Sequence, residues 1–154
     1  MRLGLLVHVE PVVVEVKRLD PHLPLPAYQR PGDAGLDLHA AEDVTIPPGE
    51  RVVIGSGIAV AIPEGYVGLG TPRSGLAARN GLSIVNSPGI IDSGYRGEIK
   101  LILINHDPRE TMEIKRGERV GQLVIVPFVS ALLVERDELP PSERGTGGHG
   151  STGV

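Results

Sequence analysis

The sequence predicts an all-β fold, a jelly-roll-like β-barrel or sandwich with one short helix and a flexible glycine-rich C-terminal tail. Three observations predict it. Apolar residues alternate with polar or small residues along several segments, which is the period of a half-buried strand. The 154 residues include 21 glycines and 14 prolines, a content that disfavours a helical bundle. Turn signals separate the strand-like segments about every ten residues, as in sandwiches and barrels.

The predicted strands follow from these alternations in chain order. Residues 12–17 place valines on one face and charged residues on the other, and residues 58–62 alternate large aliphatic residues with alanine. Residues 99–104 and 120–126 alternate in the same way, which indicates strands with one or both faces buried. The turn signals between the strands are Pro47-Pro48-Gly49, Pro63-Glu64-Gly65, His106-Asp107-Pro108 and Arg116-Gly117.

One segment departs from the strand pattern. Residues 74–81 contain good helix formers and end in glycine. We therefore predict a short helix there, with Ser74 as its N-cap and Gly81 as its stop.

The length of the chain fits one domain. We assign residues 12–139 to a β-barrel domain, residues 140–154 to a flexible C-terminal lid and residues 1–11 to an N-terminal extension that leads into the first strand. The lid follows Pro140 and Pro141 and is rich in glycine. Because it cannot bury enough apolar area to offset its ordering entropy, we predict that it is mobile alone.

Composition excludes several classes of function. A net charge of −4 and only 3% aromatic residues disfavour binding to nucleic acid or to anionic lipid. The absence of cysteine excludes thiol nucleophiles and zinc–thiolate sites, and it is compatible with a cytoplasmic protein. The most apolar stretch, residues 124–134, contains Pro127 and is too short to span a membrane. We therefore expect no nucleic-acid or membrane partner and a cytoplasmic location.

The first candidate site is the segment Pro72-Arg73-Ser74-Gly75 at the predicted helix start. The forked guanidinium of Arg73, the hydroxyl of Ser74 and the close backbone approach allowed by Gly75 all suit a phosphate. The alternative is that Ser74 only caps the helix and Arg73 only pairs with a carboxylate. Asp37, in an apolar strand-like run, would need such a partner if it were buried.

The second candidate site is the glycine-punctuated segment 89–99. A hairpin here would present Asp92 and Tyr95 into a cleft, the first as a base toward water and the second as a surface for a sugar. The alternative is a turn in which the Asp92 side chain binds its own backbone.

Other catalytic motifs are absent or incomplete. The tail has the glycine spacing of a phosphate-binding P-loop but lacks its lysine and a following helix. The five histidines show no metal-ligand spacing, and there is no nucleophile elbow of the GxSxG type.

In their order along the chain, five segments resemble the five motifs of the homotrimeric dUTPase (dUTP diphosphatase) family. They are residues 34–38, 72–77, 89–99, 116–123 and 144–153. The resemblance implies a β jelly roll, a homotrimer and active sites built at subunit interfaces. It also implies hydrolysis of dUTP to dUMP and pyrophosphate with Mg²⁺, which keeps uracil out of DNA and supplies dUMP for dTMP synthesis.

The resemblance also implies roles for individual residues. Asp92 would activate the water that attacks the α-phosphorus, and Asp37 would support the site. The phosphates would be held by Arg73, Ser74, Gly75 and Gln122, with Lys100 nearby, while Mg²⁺ would ride on the triphosphate through waters without a protein ligand.

The remaining roles concern the nucleoside and the lid. The uracil edge would be read by Asn86 and by the backbone of the third motif, including Gly89 and Ile91. Tyr95 would pack under the deoxyribose and exclude a 2′-hydroxyl. Arg144 would clamp the γ-phosphate, and His149 would stack on uracil where the family usually has phenylalanine.

Two alternatives remain at this stage. A dCTP deaminase of the same fold would need a catalytic glutamate at the position of Ile102, where this chain has none. A nucleotide-binding trimer without turnover is disfavoured because both Asp92 and the glycine-rich tail are present.

Overall fold

A computed structural model describes residues 10–146. Within them lie ten strands and one helix. Their bounds are β1 Glu15–Arg18, β2 Gly35–His39, β3 Val44–Ile46, β4 Arg51–Ala61, β5 Tyr66–Thr71, α1 Ser74–Asn80, β6 Leu82–Ile84, β7 Gly89–Ile91, β8 Glu98–Asn105, β9 Met112–Ile114 and β10 Arg119–Pro127. The predicted all-β class with one short helix is confirmed.

The strands form three antiparallel sheets. One four-stranded sheet has the order β1-β4-β8-β6, the second has the order β2-β10-β5-β7, and β3 pairs with β9. The side chains that point inward from these sheets form one apolar core, in which Leu38 and Leu103 are fully buried. Each buried leucine or isoleucine stabilises the fold by about 1.5–3 kcal/mol through removal of apolar surface from water.

Strand β8 shows how the alternation predicted the core. Ile99, Leu101 and Leu103 are buried, whereas Lys100 between them is exposed. The strand lies between β4 and β6, so its backbone is paired on both sides.

The predicted strand at residues 12–17 is shorter and more exposed than expected, because β1 starts at Glu15 and is an edge strand that pairs only with β4.

The helix is where predicted, but its N-cap is not. Gly81 ends it with φ 67°, and its N–H donates to the carbonyl of Ala77 at 3.0 Å. The N-cap is Arg73 rather than Ser74, and no side chain caps the helix. The backbone stays extended through Arg73, so Ser74 is already the first helical residue and the predicted cap was wrong.

Only the first part of the predicted lid lies in the described residues. The amide of Gly145 donates to the carbonyl and the hydroxyl of Ser142 at 3.1 Å, which forms a turn. The rest of the lid, residues 147–154, lies outside the described residues, so its mobility stays a prediction. In the described part of the chain, no helix has both the length and the apolar character needed to cross a membrane.

Candidate active site

A buried carboxylate organises the first cluster of polar residues. Asp37, on β2, is only 2% exposed. Its Oδ1 lies 3.1 Å from Nε of Arg73, and its Oδ2 accepts a hydrogen bond from Arg119 at 3.1 Å. A buried charge is tolerated only when it is paired, so the predicted arginine partner of Asp37 is confirmed, and a second arginine joins it.

These contacts fix the orientation of the Arg73 side chain. Besides its ion pair with Asp37, it donates a hydrogen bond to the backbone carbonyl of Arg119 at 3.0 Å. Arg119 was missed as a functional candidate, although it stands inside the segment 116–123. Arg119 reaches Asp37 because it starts β10, which pairs with β2, and this pairing is known only from the structure.

Gln122 lies on the same face of this sheet. Strand β10 pairs with β2 and β5 so that Gln122 is opposite both Asp37 and Thr71. Directly opposed residues of antiparallel strands point to the same face of the sheet, so Gln122 lies close to Asp37 and its two arginine partners. Gly35 makes room for it, because a Cβ there would lie 3.0 Å from Cδ of Gln122.

An open cavity of about 530 Å³ adjoins this cluster. Its polar lining includes His39, Arg73, Glu118 and Arg119. Burial lowers the pKa of His39 below its usual value. The nearby carboxylate of Asp37 opposes this shift, whereas the guanidinium groups of Arg119 and Arg73 add to it. His39 therefore favours the neutral imidazole, so the positive charge at this cluster belongs to the two arginines.

Asp92 and Tyr95 define a second cluster. Both line a cleft of about 200 Å³, together with Ile90, Ile91, Glu98, Ile99 and Lys100. The amide of Tyr95 donates to the backbone carbonyl of Asp92 at 3.0 Å, which closes the turn. The backbone carbonyl of Asp92, and not its carboxylate, accepts this bond. The geometry therefore favours an Asp92 side chain that faces the cleft over one that binds its own backbone.

Gly89 and Ile91 are the first and last residues of the short strand β7, Asn86 precedes this strand, and Asp92 follows it. Gly89 begins β7, and a Cβ on it would lie 3.2 Å from Nδ2 of Asn86. The Asn86 amide thus folds against Gly89, while Ile91 ends β7 next to Asp92 and is buried. Gly89 and Ile91 thus belong to edge strand β7 of the second sheet, and Asn86 and Asp92 lie in the segments that flank it.

The two clusters do not meet within one chain. Strand β7 pairs with β5 so that Ile91 is opposite Gly68 and Gly89 is opposite Gly70. Asp92 therefore lies near the start of β5, whereas Arg73 lies beyond its end. This register separates them by about six residues, or ~20 Å at the rise of a strand.

The other predicted site residues lie at the margins. Ser74 is exposed, and Gly75 lies under the guanidinium of Arg79, 3.2 Å from where a Cβ would be. Arg144 lies in the exposed turn of the tail and lines neither cleft, and His149 is outside the described residues. Within residues 10–146, no group of three or more histidine or carboxylate side chains could hold a metal ion.

Comparison with known proteins places the chain in a family. A family model described as dUTPase matches residues 22–153. A curated deoxyuridine 5′-triphosphate nucleotidohydrolase of Nocardia farcinica (strain IFM 10152) is 56% identical over 140 residues, which cover 91% of this chain and 85% of the relative. Another, of Thermobifida fusca (strain YX), is 58% identical over 142 residues, which cover 92% and 79%.

Solved structures agree with these relatives. The Staphylococcus bacteriophage 80alpha dUTPase with dUPNHPP is 35% identical with a TM-score of 0.85, covering 92% of this chain and 99% of that one. A mutant dUTPase from phage phi11 of S. aureus, whose structure concerns coordination of a structural Mg(II) ion, is 31% identical with a TM-score of 0.76, covering 84% and 99%. The likeness confirms the expected jelly-roll-like fold. The chain therefore belongs to the dUTPase family, and it hydrolyses dUTP to dUMP and pyrophosphate.

Proposed function

We propose that the two clusters form one active site across subunits of a homotrimer, in which dUTP bridges Arg73 of one chain and Asp92 of another. The observation that carries this proposal is the distance between them. A triphosphate whose α-phosphorus lies beside Asp92 cannot also reach an Arg73 that is ~20 Å away along the same sheet. A second subunit can supply the missing cluster.

Asp92 is the proposed general base. Its exposed position at the end of β7 leaves its carboxylate accessible to a water in the cleft. A carboxylate placed beside that water can take a proton from it as the water oxygen attacks the α-phosphorus. The bond that breaks joins the α-phosphorus to the bridging oxygen, and pyrophosphate leaves.

Arg73, Ser74, Gly75 and Gln122 are the proposed phosphate ligands. Asp37 holds Nε of Arg73, which fixes the direction in which the guanidinium presents its remaining donors. Phosphoryl transfer depends mainly on positioning and on neutralisation of charge, so a pre-oriented guanidinium lowers the barrier without rearrangement. Lys100, which lines the Asp92 cleft, would add a second positive charge near the α-phosphate.

The cleft beside Asp92 is proposed to take the nucleoside. Asn86, Gly89 and Ile91 would read the uracil edge through amide and backbone groups, and the ring of Tyr95 would lie under the deoxyribose. A 2′-hydroxyl would meet that ring without a hydrogen-bond partner, and an unpaired buried hydroxyl is costly. The enzyme would thereby reject UTP.

The C-terminal lid would complete the site. We propose that Arg144 binds the γ-phosphate and that His149 stacks on uracil once the lid, residues 140–154, closes over the substrate. Closure would exclude water other than the nucleophile.

Mg²⁺ would enter on the triphosphate. Oxygen atoms of the phosphates and waters are the ligands that this ion prefers, and residues 10–146 offer no cluster that would compete for it. When bound, Mg²⁺ supplies positive charge to the phosphate oxygens. The cytoplasmic location expected from the cysteine-free sequence stays a prediction.

A subunit-mixing experiment tests the shared site. Arg73→Ala and Asp92→Asn should each be inactive alone, and co-refolding them in equal amounts should restore activity. Random mixing gives intact pairs of clusters at about a quarter of the sites of a trimer. Activity that stays at the level of the separate variants would show that each chain carries its own complete site.

A further inference from the structure

We propose that Glu98 is a positioning residue for Tyr95 and so for the selection of dUTP over UTP. The proposal rests on the role proposed above for Tyr95. Glu98 is the first residue of β8, and it also lines the Asp92 cleft. Its side chain and its backbone hold two different parts of the molecule together.

The side chain of Glu98 anchors β8 to an irregularity in β4. The pairing of these strands shifts between Gly55, opposite Lys100, and Ala59, opposite Glu98, so β4 carries extra residues there. The amide of Gly57 lies in this bulge and donates to Oε1 of Glu98 at 3.0 Å. The carboxylate therefore replaces the ladder partner that the bulge removes from this amide.

Two glycines make room for that contact. A Cβ on Gly55 would collide with the Glu98 carboxyl group, since it would lie 2.9 Å from Cδ. Gly57 has φ +73°, a conformation that favours glycine, and a Cβ there would lie 2.8 Å from Cδ1 of Leu23. The bulge is thus shaped so that the carboxylate can lie against its backbone.

The backbone of Glu98 holds Tyr95. The Tyr95 hydroxyl donates to the carbonyl oxygen of Glu98 at 2.9 Å. To reach it, the ring lies across Gly97, where a Cβ would lie 2.6 Å from Cζ of Tyr95. The other end of Tyr95 is tied by its amide to the carbonyl of Asp92.

The position of the Tyr95 ring therefore depends on where the Glu98 peptide lies. The Gly57–Glu98 hydrogen bond fixes the start of β8 against β4, and the phenol hydrogen bond transmits that position to the ring. Without the anchor, the turn at residues 92–97 can shift, and the ring no longer fills the space beside the 2′-carbon. The expected consequence is a loss of discrimination that exceeds any loss of activity toward dUTP.

The test compares kcat/KM for dUTP and for UTP in Glu98→Ala, Glu98→Gln, Tyr95→Phe and the double variant Glu98→Ala with Tyr95→Phe. We expect the dUTP/UTP ratio to fall about fivefold to tenfold in Glu98→Ala and in Tyr95→Phe, as for loss of one hydrogen bond. The effects should not add in the double variant, because both break one connection. Glu98→Gln keeps an acceptor oxygen and should stay within about threefold of the wild type. Glu64→Ala, in an exposed turn, is the matched control.

The ratio separates positioning from a loss of folded protein, since both substrates are measured on one sample and the active fraction cancels. An unchanged ratio in Glu98→Ala would overturn the proposal. If Glu98→Ala does not fold, an unchanged ratio in Tyr95→Phe, or a loss in folded Glu98→Gln as large as that in Tyr95→Phe, would overturn it. Tyr95→Ala tests the underlying role: no change there would refute Tyr95 itself, whereas a change there with none in Glu98→Ala would refute only the anchor.

Discussion

Two carboxylates of this chain have opposite surroundings, and their surroundings match their proposed roles. Asp37 is buried and is neutralised by Arg73 and Arg119, so it can orient those side chains but has no access to a reacting water. Asp92 is exposed at the end of β7 and lines the cleft proposed for the nucleoside. These surroundings support Asp92, and not Asp37, as the proposed base.

Replacing Asp92 with asparagine tests this assignment. The amide keeps the size of the side chain and removes only its capacity to accept a proton, so turnover of dUTP should fall about a hundredfold or more while dUTP binding persists. Pyrophosphate release measures turnover, and calorimetric titration of dUTP measures binding. Asp137→Asn, on the exposed C-terminal segment, is the control and should retain normal kinetics. Substantial turnover by Asp92→Asn would assign the base elsewhere.

The individual residues show what sequence reasoning can and cannot reach. The Asp37–Arg73 pair was predictable, because a carboxylate in an apolar run has to find a cation. The cap of α1 was not, since nothing local tells whether the extended backbone ends at Arg73 or at Ser74. The Glu98–Gly57 contact joins a strand to a bulge 41 residues away and has no local signature at all.

At the scale of elements, the register between paired strands determines which candidate site residues lie close together. The alternation along β8 and β10 predicted buried strands correctly, because period two is a property of each strand alone. The separation of Arg73 from Asp92 follows instead from the register of β5 with β7. The sequences of these two short strands do not reveal that register. The start of β1 was predicted too early for the same reason. The length and exposure of this strand depend on its being an edge strand that pairs only with β4.

The C-terminal lid is the element whose contribution to catalysis should exceed its contribution to stability. Its described residues 140–146 are exposed and lie outside the strands. Deleting residues 144–154 should lower kcat/KM for dUTP about a hundredfold through loss of the proposed clamp. The midpoint of thermal unfolding should change by less than about 2 °C, because residues 144–146, the described part of the deleted segment, are exposed.

Point variants locate the effect of the lid. Arg144→Ala should reproduce a large part of the loss, whereas Arg136→Ala, an exposed arginine on the segment that leads to the lid, should not. Normal kinetics after the deletion would refute closure of the lid over the substrate.

At the scale of the whole molecule, Arg116 joins three segments that are distant in sequence. Its side chain forms an ion pair with Asp20, which follows β1, and its amide donates to Oδ1 of Asp43, just before β3, at 2.8 Å. The hydrogen bond from the Arg116 side chain, with that from the amide of His22, lowers the pKa of Asp20 below 3.8. The hydrogen bond from the Arg116 amide, with Lys115 nearby, likewise lowers the pKa of Asp43.

These shifts fix the sign of the pH dependence. A carboxyl group whose pKa is lower in the folded state binds fewer protons there than in the unfolded chain. Its stabilising contribution is therefore complete above about pH 4 and is lost as the pH falls through the folded pKa. Asp43 is exposed and Asp20 is partly exposed, so the contribution is modest and salt should weaken it.

Asp20→Asn tests how much the ion pair between Asp20 and Arg116 contributes to the stability of the protein. At pH 7 the variant should unfold at a lower urea concentration than the wild type, because it cannot form the ion pair with Arg116. The gap should shrink between about pH 4 and pH 2, where the wild-type carboxyl group becomes protonated and loses the same interaction. Raising the salt concentration at pH 7 should also narrow it. A gap that is as wide at pH 2 as at pH 7 would mean that Asp20 stabilises the fold through the hydrogen bond from His22 or through packing, and that the charge of Arg116 does not hold these segments together.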